Sequence, residues 1–207
     1  MRLLIAGAGG HGRVVADAAL ASGKYSSVEF LDDRLPVHVL VEGWPIVGDM
    51  RALAGLVGRY DSFVAAFGDA QLRLGVLERA RSLGIDSKPV VHPSATVSKF
   101  ASLGPGTVVL GGAHVTVGAK LGAACIVNTC ATVDHDCLLG DGVHVCPGSH
   151  LAGNVSIGSR TWFGIGAVAR QGIRIGDDVM VGAGAVVVAD IPDRAIVVGN
   201  PAKPLVR

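Results

Sequence analysis

The chain has 207 residues and a formal net charge of +1, so no strong field is available to recruit nucleic acid or an anionic membrane. Half of the residues are hydrophobic, only 4% are aromatic, and 30 are glycine. This composition excludes a disordered chain and favours an aliphatic core with many tight turns. The apolar runs fall short of the roughly 18 residues that a membrane-spanning helix needs.

Residues 1–88 predict a small α/β unit built on a parallel sheet. Apolar strands at 3–6, 28–31 and 62–67 each end in a polar or glycine-rich turn. One helix is expected from residue 13 to about 22, and a second follows the turn at 68–69 and reaches residue 83. The first apolar segment is interpreted as a buried strand, not a signal peptide, because Gly9, Gly10 and His11 interrupt it. Ligands of such sheets bind at the carboxyl ends of the strands, where all three turns fall.

From residue 91 onward the sequence repeats every six residues. Neither an α-helix nor a half-exposed strand keeps a period of six on one face, whereas a parallel β-helix does. Three hexads form one triangular coil, which gives roughly six stacked coils. Seventeen positions spaced by six, all bulky except one, are expected to point inward: Val91, Val97, Leu103, Val109, Val115, Leu121, Val127, Val133, Leu139, Val145, Leu151, Ile157, Phe163, Ala169, Ile175, Val181 and Val187. The glycines that often follow them, such as Gly104 and Gly122, are expected to relieve the bend.

Four cysteines, Cys125, Cys130, Cys137 and Cys146, lack the spacing of a disulfide scaffold or a zinc site, and we expect reduced thiols in a cytoplasmic protein. No metal-ligand triad is evident. His114 and His150, which end their hexads, are interpreted as surface polar residues, no motif supports a role for His92, and no metal is expected.

The sequence resembles the hexapeptide-repeat acyltransferases, and within them the bacterial sugar O/N-acyltransferases that join a nucleotide-sugar-binding domain to a β-helix. The segments that carry the resemblance are 7–15, 30–33, 66–68, 128–137 and 199–204. The resemblance implies an α/β N-terminal, Rossmann-like small parallel sheet at 1–88. It further implies an all-β left-handed parallel β-helix at 89–194 and a C-terminal tail at 195–207 that packs on the β-helix. It also implies a homotrimer with active sites between subunits.

The resemblance places the catalytic base at His135 and its acidic helper at Asp136. Removal of a proton from an attacking amine suits a histidine with a near-neutral pKa. His135 is third in its hexad, so it is expected near an exposed corner, and Asp136 could orient its ring. Gly153 follows 18 residues later, one coil along, and is expected to leave room for the thioester of acetyl-CoA.

Acetyl-CoA is the implied co-substrate. His144 matches a position that contacts the acetyl group, and Ile165 and Ala183 match positions that contact the cofactor. Nine residues, half a coil, separate His144 from His135, so the two should lie on opposite sides of one prism and share a site only across a subunit interface. Lys203 and Arg207 in the tail are possible partners for the phosphates of the cofactor, or solvated ends.

The implied acceptor is a UDP-linked 4-amino-4,6-dideoxy sugar, as in the pathway to diacetylated bacillosamine for protein glycosylation. Its predicted binding residues are Gly9, Gly10, His11, Asp32, Asp33 and Gly68. Alternative acceptors are a GDP-linked 4-amino sugar or a hydroxyl of sialic acid, since Asp69-Ala70 departs from the Asn pair of close relatives. A glycine-rich turn followed by an acidic pair also suits NAD, but no second half-sheet follows. A non-enzymatic β-helical binding protein is the remaining alternative.

Overall fold

The computed structural model describes residues 1–205, so the contact expected of Arg207 lies outside the described residues. An N-terminal α/β domain precedes the β-helix. Its elements are β1 (Arg2–Ala6), α1 (Gly10–Ala21), β2 (Ser27–Leu31), β3 (Leu40–Val41), β4 (Trp44–Gly48), a 3-10 helix (Met50–Leu56), β5 (Ser62–Ala65) and α2 (Ala70–Ser82). None of the helices in residues 1–205 combines the length and apolar character needed to cross a bilayer.

The N-terminal sheet has five strands in the order β3-β4-β2-β1-β5. The three predicted strands are its parallel core. The sequence analysis missed β3 and β4, an edge hairpin whose two-residue β3 lies in an exposed apolar stretch without alternation. Helix α1 begins at Gly10, three residues before the predicted start, because its glycines adopt helical geometry from the turn onward.

The β-helix consists of seventeen two-residue strands spaced by six, as the repeat predicts. They are β6 (Val90–Val91), β7 (Thr96–Val97), β8 (Ser102–Leu103), β9 (Val108–Val109), β10 (His114–Val115), β11 (Lys120–Leu121), β12 (Ile126–Val127), β13 (Thr132–Val133), β14 (Leu138–Leu139), β15 (His144–Val145), β16 (His150–Leu151), β17 (Ser156–Ile157), β18 (Trp162–Phe163), β19 (Val168–Ala169), β20 (Arg174–Ile175), β21 (Met180–Val181) and β22 (Val186–Val187).

These strands form three parallel sheets, one for each side of the prism. Face 1 contains every third strand from β6 to β21, face 2 those from β7 to β22, and face 3 those from β8 to β20. The second residue of nearly every strand is buried in one continuous core, as predicted, so side chains of successive coils stack along the axis. The tail adds β23 (Ile196–Val198) and β24 (Lys203–Pro204) to the end of face 1.

The prediction that the glycines after the inward residues relieve the bend was wrong. Their φ angles are ordinary, and a Cβ on Gly122 would lie 2.3 Å from Oδ1 of Asp141 on the next coil. These glycines instead allow adjacent coils to approach closely. The left-handed backbone occurs three positions after the inward residue, at every sixth residue from Gly106 to Gly184.

The N-terminal domain packs on face 1 and on the corner between faces 3 and 1. Outward residues of the first coils, Val90, Val108 and Ile126, join the core beneath α1. Side chains of α2 cover the corner, where Leu74 lies against Gly142. The corner between faces 2 and 3, on the other side of the prism, therefore stays free of this domain.

Candidate active site

His135 and Asp136 lie at the corner between faces 2 and 3, between β13 and β14. The His135 side chain is 55% exposed, and its Nδ1 lies 3.0 Å from Oδ2 of Asp136. The hydrogen bond to Asp136 raises the pKa of His135 above its ordinary value, although partial desolvation opposes the rise. Asp136 reaches the ring because it occupies the left-handed position of its hexad, at φ +59°.

The contact with Asp136 decides which nitrogen of His135 can act as a base. A carboxylate only accepts hydrogen bonds, so Nδ1 carries the proton and Nε2 keeps its lone pair. Gly153 lies beneath this nitrogen, since a Cβ there would be 2.3 Å from Nε2. The space that was expected to admit the thioester over Gly153 is therefore filled by the His135 ring itself.

His144 lies on face 1 at the junction with the N-terminal domain and is 6% exposed. Its ring is edge-on to Trp162 at 4.4 Å and lies 6.3 Å from the ring of His11, measured between centroids. Burial and the charge of Arg73 lower the pKa of His144 to about 3 and that of His11 to about 4. Both imidazoles are therefore neutral at physiological pH.

Asn128 fixes the tautomer of His144. The Asn128 Oδ1 accepts a hydrogen bond from the Thr129 backbone N–H at 2.8 Å, so its amide nitrogen faces Nε2 of His144 at 3.0 Å. Nε2 must accept this bond, and the proton of the neutral ring is on Nδ1. Among residues 1–205, buried Nδ1 of His144 and Nε2 of His11 have no hydrogen-bond partner. A polar group bound at the junction would satisfy them.

A cavity of about 340 Å³ opens beside His144 at this junction. Its walls come from the start of α2, from the corner between faces 3 and 1, and from face 1. The lining residues are Gly68, Asp69, Ala70, Gly142, His144, Arg160, Thr161 and Trp162. Gly68, predicted to bind the acceptor, and His144, predicted to contact the acetyl group, thus share one cavity.

The glycine-rich turn after β1 is held by Asp32. The Asp32 carboxylate is buried and accepts the backbone N–H groups of Ala8 and Arg34, both at 2.9 Å. Burial acts to raise the pKa of Asp32, but these hydrogen bonds outweigh it and the pKa is lowered. The Asp32 carboxylate supports the turn through these two hydrogen bonds and also lines the cavity at the carboxyl edge of the sheet, so its contact with the acceptor stays a prediction.

Asp33 is exposed and accepts the Met50 backbone N–H through Oδ1, which leaves Oδ2 available. It borders a second cavity, of about 350 Å³, at the carboxyl edge of the sheet, with apolar walls from Leu31, Met50, Phe67 and Leu72. Gly9 and Gly10 lie at the same edge, at the start of α1. The sheet edge thus carries Gly9, Gly10 and Asp33, whereas His11 and Gly68 lie at the junction with His144.

Ile165 and Ala183 stack on adjacent coils at the corner between faces 1 and 2, where the Gly184 N–H donates to the Ile165 carbonyl. Ile165 is 58% exposed. His135 belongs to the corner opposite face 1, while His144 lies on face 1, so one chain does not bring the two rings together. Their predicted separation within one chain is confirmed by the sheet topology.

Three residues at the junction were not predicted from the sequence: Arg73, Arg160 and Trp162. Trp162 and Arg160 are found by counting one coil forward from His144 and Gly142, which the repeat allows. Arg73 gives no such signal. His114 and His150 are exposed on face 2, and no group of three or more potential metal ligands occurs among the described residues.

Residues 2–80 match the family model described as the PglD N-terminal domain. A curated UDP-N-acetylbacillosamine N-acetyltransferase of Bacillus subtilis (strain 168) is 36% identical over 108 residues, 51% of this chain and 50% of the relative. The match thus spans about half the length of that curated relative.

Several solved structures match nearly end to end, among them two with bound ligands that bear on the site. The acetyltransferase domain of PglB from Neisseria gonorrhoeae FA1090, in complex with acetyl coenzyme A, is 46% identical with a TM-score of 0.95, covering 99% of this chain and 98% of that one. PerB from Caulobacter crescentus, in complex with CoA and GDP-perosamine, is 40% identical with a TM-score of 0.93, covering 99% and 97%. With its small α/β domain and left-handed parallel β-helix, the chain belongs to the hexapeptide-repeat sugar N-acyltransferase family.

Proposed function

We propose that the protein uses acetyl-CoA to acetylate the 4-amino group of a UDP-linked 4-amino-4,6-dideoxy sugar, with His135 as the general base. The observation that carries this proposal is the free Nε2 of an exposed imidazole whose Nδ1 is bound to Asp136. An amine acceptor must lose a proton as it attacks the thioester, and such a nitrogen can accept it.

The proposed reaction proceeds by direct attack. The amine nitrogen forms a bond to the thioester carbonyl carbon, Nε2 of His135 takes the amine proton, and the carbon–sulfur bond breaks to release CoA as the thiolate. The imidazolium formed on His135 is stabilised by Asp136 and returns its proton to the thiolate. The products are the acetamido sugar and CoA.

In this proposal the thioester group of acetyl-CoA binds at the junction cavity, next to the buried, unpaired donor of His144. The Nδ1–H of this ring has no partner among the described residues and belongs to a residue that lines the cavity. A thioester carbonyl could accept it and would be polarised toward attack. Exposed Ile165, on the corner beside face 1, offers apolar surface for the pantetheine arm.

The acceptor edge, His11 and His144 lie on the face 1 side, whereas His135 lies at the opposite corner. We therefore propose that His135 of one copy completes the site formed by the N-terminal domain and face 1 of a second copy, in a homotrimer. A fully active monomer in sedimentation and kinetic assays would contradict this arrangement. Use of acetyl-CoA and the four unpaired cysteines support a cytoplasmic location.

A second candidate function differs from the first in the nucleotide that carries the acceptor sugar. The complex of PerB with GDP-perosamine, from a protein 40% identical to this chain, supports a GDP-linked 4-amino sugar as the alternative acceptor. A panel of UDP- and GDP-linked 4-amino sugars, assayed by thiol release from acetyl-CoA, separates the two. Turnover with GDP sugars alone would remove the UDP assignment, and failure of all of them would remove the function.

The role of His135 is tested by His135→Ala, with His92→Ala as the matched control outside the site. Loss of a general base is expected to lower kcat by about 10²-fold or more. The control should retain activity, because His92 only accepts local contacts from Ser94. Equal activity of His135→Ala and the unaltered protein would exclude His135 as the base.

A further inference from the structure

Arg73 is the largest fully buried side chain, 1% exposed, and it lies where the two domains meet. Its guanidinium donates four hydrogen bonds, all to backbone carbonyl oxygens. The acceptors and distances are Ala124 at 2.8 Å, Phe67 at 2.7 Å, Gly68 at 3.0 Å and Gly142 at 2.6 Å. Two of them belong to the turn after β5 and two to successive coils of the β-helix.

The charge of Arg73 has no carboxylate partner in any salt bridge among residues 1–205. Burial lowers the pKa of Arg73 to about 10, which still leaves it charged at neutral pH. An isolated buried charge is costly, and an apolar residue of similar volume often stabilises a fold as well or better. The four carbonyl oxygens need donors, but a neutral side chain can donate too, so stability alone does not require the charged group of an arginine.

The carbonyls that Arg73 joins belong to opposite walls of the junction cavity. Gly68 is on the wall formed by the N-terminal domain, and Gly142 is on the β-helix wall, two residues before His144. Because the planar fork binds both at once, it fixes the width of the cavity and the position of the Gly68 turn relative to the His144 ring.

We infer that Arg73 is a positioning residue for acetyl transfer, which holds the acceptor-binding turn at Gly68 in register with His144 across the domain boundary. This inference rests on the proposed function. A sugar nucleotide bound at the sheet edge extends its amine toward a thioester at His144, and the Arg73 fork sets the distance between them. The cofactor surface at Ile165 and Ala183 contacts neither Arg73 nor its acceptors.

Arg73→Lys tests the inference, because lysine keeps the charge but cannot bind four carbonyls in a fixed fork. Arg79→Lys, on an exposed position of α2, is the matched control. We expect Arg73→Lys to lower kcat/KM for the sugar nucleotide by roughly 10²-fold, the effect of about 1 Å of misplacement. The KM for the sugar nucleotide should rise by more than the KM for acetyl-CoA, because the pantetheine surface at Ile165 and Ala183 lies outside the junction that Arg73 holds.

A merely structural role gives a different pattern. It would lower the melting temperature and the active fraction while both KM values stay constant, and this result would overturn the inference, as would unaltered kinetics of Arg73→Lys. If the lysine variant does not fold, Arg73→Gln is measured instead, with calorimetric binding of UDP and GDP. Weaker nucleotide binding by a folded Arg73→Gln supports the inference, and unaltered binding contradicts it. Absence of turnover in the unaltered protein would refute the proposed function, while the binding measurement would still test Arg73.

Discussion

Gly153→Ala is the most direct test of how the β-helix positions His135, the proposed base. A Cβ at residue 153 would lie 2.3 Å from Nε2 of His135, 2.4 Å from Cε1 and 2.9 Å from Cδ2. The φ angle of Gly153 is ordinary, so the backbone accepts alanine without strain. The clash is relieved when the half-exposed ring swings outward by roughly 1 Å, a displacement that can cost about 10²-fold in rate.

The assay is acetyl transfer measured as thiol release, together with thermal unfolding. We expect kcat/KM to fall by about 10²-fold while the melting temperature changes little, because an exposed side chain and not the core absorbs the clash. Gly75→Ala in α2, where a Cβ meets nothing within 4 Å, is the control. In a His135→Ala background, Gly153→Ala should have no further effect. Full activity of Gly153→Ala would refute the view that the position of this ring sets the rate.

Asp136→Asn should move the acid limb of the kcat/KM profile to lower pH, because the hydrogen bond to Asp136 raises the pKa of His135 and the base acts only when neutral; an unshifted limb would contradict this. His144→Gln should remove part of the acid sensitivity of unfolding. Above the unfolded-state pKa of about 6.5, His144 is neutral in both states and its burial carries no ionisation penalty. As the pH drops from 6.5 toward the folded-state pKa of about 3, the free energy of unfolding falls, by about 2 kcal/mol at pH 5. Urea titrations at pH 7.5 and 5 give the free energy of unfolding at each pH. An equal loss of this free energy between the two pH values in both proteins would count against the prediction. Gly12→Ala should lower the free energy of unfolding by about 1–3 kcal/mol or more, the usual cost of overpacking, because a Cβ would lie 1.9 Å from the Gly7 carbonyl oxygen. A melting temperature equal to that of Gly75→Ala would contradict this.

The amino-acid pattern was sufficient to predict the β-helix and the exposure of the corner that carries His135. Six-residue spacing is a local constraint, since each hexad forms one side and each inward residue stacks on the one 18 positions away. From this rule alone followed the seventeen strands, the stacking of Gly153 under His135, and the placement of His144 on a different side. The three turns at the carboxyl edge of the N-terminal sheet followed in the same way from alternating strands and helices.

The way in which the two domains meet became visible in the folded chain alone. No spacing in the sequence places Arg73 under the junction cavity or His11 beside His144, because packing joins segments that are from about fifty to more than a hundred residues apart. The same holds for Asp32, whose carboxylate is used by the turn it supports, and for the edge hairpin of β3 and β4. In a repeat, the number of residues between two positions fixes how far apart they lie in space. The packing of two domains depends instead on complementary surfaces built from distant segments, which a local sequence pattern does not specify.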